Sequence, residues 1–330
     1  MTPASPVTPA SPVTPLSRPG RLVLAGEALV DVVLRVPGLP PRGGDLLATS
    51  SQVAVGGGFN VMAAAARQGL PVLYAGGHGT GPWGDLVRAA LATEGIGLFR
   101  PADPSRDTGF DVALVESDAE RTFVTSLGAE SISEPGSWDA VPAGPGDAVY
   151  VSGYGLVPDG SGAALGAWAA ALRPGVLLFM DPGPLAAQIP EPVLGPVLAR
   201  CDWLSCNARE AALLGGGTDP ERAAGRLLAR TARANIIVRS GPDGCFLAPR
   251  PRDERVRPSA VHLPAPVVSA VDTTGAGDAH SGVFLAALAD GLSPADAARR
   301  ANAAAALAVT RPGPATCPTR AELDAWLARA

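Results

Sequence analysis

The sequence predicts an α/β protein with a mostly parallel central sheet flanked by helices and a small β lid beside it. Three observations lead there. From Arg21 onward, short β-branched or leucine-rich runs alternate with alanine-rich stretches of helical period, the pattern of parallel strands joined by crossover helices. Two stretches, about 32–55 and 108–126, break that rhythm with strand-like runs and no helix between them. The chain has 330 residues, 47% of them apolar, which is enough to fill one large core.

Taken in order, residues 1–20 read MTPASPVTPASPVTPLSRPG, with TPASPV occurring twice. Such a Pro/Ser/Thr tail has too little to bury to offset its ordering entropy, so disorder is expected there, with residues 21–330 forming the folded unit. It lacks the basic start and apolar run of a signal peptide. Strands are expected at RLVLAGEALVDVVL from 21, VLYAGG from 72, DAVYVSG from 147, VLLFMDPG from 176, DWLSCN from 202 and NIIVRSG from 235. Helices are expected from 84, from 161 and from 219, each with a polar start or a nearby Gly. A further helix begins after Ser293, an N-cap with Pro294 in the first helical position. The stretches 32–55 and 108–126 cannot join a parallel sheet by the usual crossover, so they are assigned to the lid.

Composition removes several classes of function. The net charge is −5, so no global basic field gathers nucleic acid or anionic lipid. All 26 basic residues are Arg and none is Lys, which excludes a P-loop lysine, a Schiff-base lysine and a lysine general base. No apolar run reaches membrane-spanning length, and a cytoplasmic location is expected. The four cysteines sit at no metal-like spacing and are expected to be reduced and buried. His78 and His262 have no partner at ligand spacing, and His280 and Ser281, neighbours on a helix, cannot face each other as base and nucleophile.

The most informative stretch is DTTGAGDAHSG, residues 272–282, which follows the strand-like VVSAV and opens an apolar helix. Small residues at a helix start leave backbone N–H groups bare, and the helix dipole adds partial positive charge, so an anion can bind without any lysine. Asp278 then stands beside that anion, placed to take a proton from a hydroxyl. The plainer reading is a Gly-rich turn with Asp278 as a helix-start residue. The literal GxGxxG of Gly79–Gly84 competes as a dinucleotide fingerprint but fails on context. It belongs to a later βα unit, Pro82 removes an amide donor, and Asp103, the acid for a ribose, lies in a Pro-flanked loop.

DTTGAGDAHSG resembles the C-terminal signature of the ribokinase-like, or PfkB, family of small-molecule kinases, DTxGAGD followed by a small-residue helix. His280 departs from it where the family more often has an aromatic residue. The resemblance implies a ribokinase-like fold, an anion hole at Gly275, Ala276 and Gly277, and a catalytic base at Asp278. GEALVD, ending at Asp31, resembles the family's first strand, whose closing acid binds sugar hydroxyls. VGGGFNVMAAAARQG from 55 resembles its other signature, with the Gly56, Gly57 and Gly58 turn and Asn60 at the substrate; Val55 stands where one Gly of the usual pair is expected. NARE, Asn207 to Glu210, resembles the NxxE motif that positions Mg²⁺ through water, although Asn and Glu three apart also satisfy a capping box. Ser240, Gly241 and Gly244 of RSGPDGC, together with Asn302, match the nucleotide side. Backbone oxygens of Asp272, Thr274, Arg311 and Gly313 match a monovalent-cation site, with K⁺ the candidate ion. The implied activity is ATP- and Mg²⁺-dependent phosphorylation of a ribose- or fructose-like sugar, in a homodimer paired through the lid. A nucleoside or sugar-phosphate kinase and a non-catalytic ligand-binding regulator are the alternatives.

Overall fold

The structure, a computed structural model, describes residues 18–117, 121–131, 133–158, 160–215, 217–251 and 259–329. The tail expected over residues 1–20 lies outside these but for its last three. The first half runs β1 (Arg21–Ala25), β2 (Ala28–Arg35), β3 (Ser50–Gly57), α1 (Gly58–Arg67), β4 (Val72–Tyr74), α2 (Pro82–Thr93), β5 (Gly97–Leu98), β6 (Phe110–Val115) and β7 (Arg121–Ser126). The middle runs β8 (Asp147–Ser152), α3 (Ser161–Ala170), β9 (Leu177–Asp181), α4 (Glu191–Arg200), β10 (Trp203–Asn207), α5 (Ala208–Gly215), α6 (Pro220–Arg230) and β11 (Asn235–Arg239). It closes with β12 (Cys245–Ala248), β13 (Val261–Leu263), α7 (Ala276–Ala289), α8 (Pro294–Ala308) and α9 (Arg320–Leu327).

Among the described residues, nine strands form the main sheet in the order β13-β12-β11-β10-β9-β8-β1-β4-β5. It is parallel except at one edge, where β12 and β13 pair antiparallel. Both faces are covered, and the period-two alternation of β1 shows why. Leu22 and Leu24 enter a core completed by α1, α2, α7 and α8, while Val23 and Ala25 enter a second core built with α3 to α6. The smaller sheet has the order β3-β2-β6-β7.

Two expectations need correction. The run from 21 is not one strand: Gly26 and Glu27 break it, so β1 belongs to the main sheet and β2 to the small one. The lid strands therefore begin at Ala28 rather than near 32. VVSAV, 267–271, is not a strand, and Val267 is 99% exposed. Pro264 and Pro266 just before it have no N–H to offer a ladder. The short β5, β12 and β13 were not foreseen. Ser293 does cap α8, its hydroxyl accepting from the Asp296 N–H.

α7 is apolar almost all round and lies in the core. Gly282 lets α1 approach it, since a Cβ there would stand 2.5 Å from the Val61 carbonyl oxygen. Asp278 is one turn before Gly282 and Asn60 is next to Val61, so this close crossing brings the two side chains together.

Candidate active site

Ligand sites in open α/β sheets form at the carboxyl ends of the strands, and a cleft of about 710 Å³ lies there, walled by the small sheet on its other side. Its lining draws on Glu27 after β1, Ser152 of β8, Asp181 of β9, Asn207 of β10, Arg239 of β11 and the start of α7. From the small sheet come Asp31, Asp111, Phe123 and Thr125.

Asp278 lies in the first turn of α7 and lines this cleft, as do Gly275, Ala276 and Gly277. Gly275 is required at the helix entrance: its φ is +72°, and a Cβ would meet the Pro314 carbonyl oxygen at 2.0 Å. Of the three amides expected to be bare, that of Ala276 makes a long bond of 3.3 Å to the Thr273 carbonyl. Burial and the nearby Asp181 charge push the Asp278 carboxyl up to about 6, against a hydrogen bond from Asn60 and the charge of Arg239. The Asn60 Nδ2 donates to Asp278 Oδ2 at 3.2 Å. A carboxylate near that value is a usable base around neutral pH.

At the other end Asp31 and Asp111 are in-register partners on β2 and β6. Burial, then the Asp111 charge, drives Asp31 well above the usual carboxylate range, and burial raises Asp111 as well. Gly56 does not line the cleft. It makes room for Asp31, whose Oδ2 would lie 2.1 Å from a Cβ there. Gly57, at φ +62°, and Gly58, whose N–H donates to the Glu27 carbonyl at 2.8 Å, do line it.

At the end flanked by β9 to β11, a buried guanidinium organises the floor. Arg239 Nη1 donates to Asp181 Oδ2 at 2.7 Å, Ser205 Oγ at 2.9 Å and Ser281 Oγ at 3.2 Å, and its Nη2 is 3.6 Å from Glu210 Oε2. A Cβ on Gly277 would stand 3.2 Å from its Cζ, so the entrance of α7 rests directly on this charge. Asn207 and Glu210 form a reciprocal capping box: Asn207 N and Nδ2 donate to Glu210, and Glu210 N donates to Asn207 Oδ1, all within 2.8 Å. Both carboxylate oxygens of Glu210 are thus engaged, and burial raises that carboxyl to about 7. Among the described residues no cluster of three or more His, Cys, Asp or Glu could cage a metal. Asp181, Glu210 and Asp278 nevertheless make the floor acidic, a donor set that fits a Mg²⁺ keeping its waters and riding on phosphate oxygens.

The other expected residues, apart from Thr274, do not line the cleft. Ser240, Gly241 and Gly244 form the tight turn from β11 to β12, with Ser240 N–H donating to the Gly244 carbonyl at 2.7 Å, and do not line the cleft. Asn302 is buried and turned inward, its Nδ2 donating to the Leu263 carbonyl at 2.8 Å. Asp272 and Gly313 meet, with Gly313 N–H donating to Asp272 Oδ2 at 3.2 Å, and Thr274 donates to Asp272 through both its N–H and its hydroxyl. The Arg311 side chain donates to Glu322, an interaction separate from its backbone carbonyl, the expected ligand. Asp272 also pairs at 2.6 Å with Arg121 of β7, which ties the small sheet to the loop before α7. His280 is buried, and burial with the Arg239 charge lowers it to about 3, so it stays neutral. The GxGxxG decoy is filled from within: Asp107 accepts from the Trp83 and Gly84 N–H groups, occupying the amides a phosphate would need. All four cysteines are free and buried, and among the described residues no helix is long and apolar enough to cross a membrane.

Glu27, Asp111, Asp181 and Arg239 were missed. Asp181, like Arg239, ends a strand-like run, and the rule placing ligands at carboxyl ends of parallel strands would have pointed to both.

The model of the pfkB family of carbohydrate kinases matches residues 20–321. An uncharacterized sugar kinase of Escherichia coli (strain K12), YegV, is 33% identical over 312 residues, 92% of each chain. The fructokinase of Klebsiella pneumoniae is 30% identical over 279 residues, 82% of this chain and 85% of its own. Among solved structures, Arabidopsis thaliana ribokinase complexed with ribose and ATP superposes with a TM-score of 0.77 at 26% identity, over 94% of this chain and 99% of that one. With the family match running through both sheets and the whole cleft, this chain belongs to the pfkB family of carbohydrate kinases and is a sugar kinase.

Proposed function

We propose that the protein transfers the γ-phosphoryl group of ATP to a hydroxyl of a small sugar of the ribose or fructose kind, with Asp278 as general base and the amides of Gly275, Ala276 and Gly277 as anion hole. The observation that carries this reading is the meeting of Asp278, Asn60 and the α7 N-terminus in one cleft with Asp31. Asp31 and Asn60 orient the sugar, and Asp278 takes the hydroxyl proton. The hydroxyl oxygen bonds to the γ-phosphorus as the bond to the β–γ bridging oxygen breaks, releasing ADP. The amides and the Arg239 charge beneath them hold the transferring group without lysine. Glu210 and Asn207 would position a Mg²⁺ through water, and the ion would supply neutralisation of phosphate charge. K⁺ at the backbone oxygens of Asp272, Thr274, Arg311 and Gly313, and nucleotide contacts from Ser240, Gly241 and Gly244, belong to the same reading. Asn302 acts there indirectly, by tying α8 to the segment after β13.

The lid keeps water from the reacting phosphoryl group. Across its other face runs a row of in-register valines, Val53, Val32, Val112 and Val124, which favours pairing of two lids. A second reading, a nucleoside substrate, is favoured by the exposed apolar side chains on the cleft, Phe123, Leu127 and Tyr154.

The test is ADP release measured over a panel of neutral sugars and nucleosides with Mg²⁺-ATP. Saturable, acceptor-dependent release is expected. Release no faster with any acceptor than without one would refute phosphotransfer and leave a binding-only regulator.

A further inference from the structure

We propose that Glu27 is a specificity-determining residue of the substrate pocket: its carboxyl accepts a hydroxyl hydrogen of the sugar and, with Asn60 and Asp111, forms an acceptor array that admits an uncharged polyhydroxylated substrate and turns away sugar acids and sugar phosphates. The inference rests on the phosphotransfer reading above.

Three acceptor oxygens at this end of the cleft, Glu27 Oε2, Asn60 Oδ1 and Asp111 Oδ1, are shielded from solvent and have no hydrogen-bond partner among the described residues. A buried acceptor without a donor is destabilising and rare in folded proteins. Three such oxygens in one pocket call for a ligand rich in donors, and hydroxyl groups supply them. Glu27 is held in place by its own backbone, whose carbonyl accepts from Gly58 N–H at 2.8 Å, at the junction of the two sheets. The space beside the carboxyl is open because residue 155 is Gly: a Cβ there would stand 3.5 Å from Oε2.

Charge decides against an anionic substrate. Glu27, Asp31, Asp111 and Glu130 all line this end. Among the described residues lining the cleft, the sole guanidinium is that of Arg239, which is engaged by Asp181 and Glu210 at the other end. Arg121, the nearby lid arginine, is bound to Asp272. A carboxylate or phosphate on the sugar would bring a further negative charge among these acids with no counter-ion to meet it and would supply no donor to their free oxygens, a cost that a low-dielectric pocket raises.

The experiment measures kcat and KM of the full chain and of Glu27→Gln and Glu27→Ala. The panel holds neutral sugars, their single-deoxy analogues, the matching aldonic acids and the sugar phosphates. For the preferred sugar, both variants should raise KM by about 10-fold, the order expected for losing one buried hydrogen bond, with the KM for ATP unchanged. One deoxy analogue should be a poor substrate for the original protein and lose no further ground in Glu27→Ala. Thermal unfolding of each variant establishes that it is folded. Sugar KM values within twofold of the original in both folded variants overturn the proposal. So does a kcat/KM for an acid or phosphate ester equal to that of its neutral parent. Both results leave phosphotransfer standing, whereas no turnover of any sugar overturns phosphotransfer and this proposal with it.

Discussion

Replacing Asp278 with Asn should make the protein more stable at pH 8 and progressively less so on acidification. Burial and the Asp181 charge raise the Asp278 carboxyl from 3.8 to about 6 in the folded state. Because the folded value lies above the unfolded one, stability from this group is complete below about 3.8 and is lost as the pH rises through about 6. At about 1.4 kcal/mol per pKa unit, the ionised carboxylate at pH 8 costs about 3 kcal/mol, and at pH 5 about half of that remains. Asn keeps an oxygen that can accept from Asn60 Nδ2, so the amide relieves the charge without emptying the space. Urea unfolding of both proteins at pH 8 and pH 5 measures the difference. A gain of about 1–3 kcal/mol at pH 8 that shrinks by about half at pH 5 is expected. A variant no more stable at pH 8, or an equal gain at both values, refutes the reasoning.

Two further outcomes test the surroundings of this carboxylate. Asn60→Ala removes the 3.2 Å hydrogen bond that favours the ionised form, so the acid limb of the kcat/KM profile should move upward from about 6; a limb that stays put or moves down contradicts the assignment. Arg239→Met leaves Asp181 and Glu210 without their buried counter-charge and should cost about 3–5 kcal/mol in urea unfolding; a loss under about 1 kcal/mol would show that the guanidinium does not hold the floor together.

Much of the site was legible because its signals are local. Gly275 to Asp278 declare a helix entrance with small residues and an acid within four positions, and Asn207 to Glu210 form a capping box that reads the same in sequence and in space. What stayed hidden depends on register. Asp111 is 80 positions from Asp31, and only the parallel pairing of β2 with β6 sets the two carboxyls side by side. Glu27 looks like the middle of a strand until Gly26 and Glu27 turn out to be the break between two sheets. Arg239 meets Asp181 and Glu210 through the order of β9, β10 and β11. VVSAV misled for the opposite reason: its β propensity is real, but it joins neither sheet, and its last N–H donates to the Val309 carbonyl at the end of α8. Asn302 followed from resemblance alone, and the structure turns its amide toward the β13 end.

The central claim, that one carboxylate at the entrance of α7 removes the hydroxyl proton, is tested most directly by turnover of Asp278→Asn with ATP binding measured in parallel. Turnover of the best acceptor sugar should fall by about 10² to 10⁴, the span for loss of a general base, while ATP binds within a few-fold of its original affinity. Near-normal turnover in the folded variant would contradict the account.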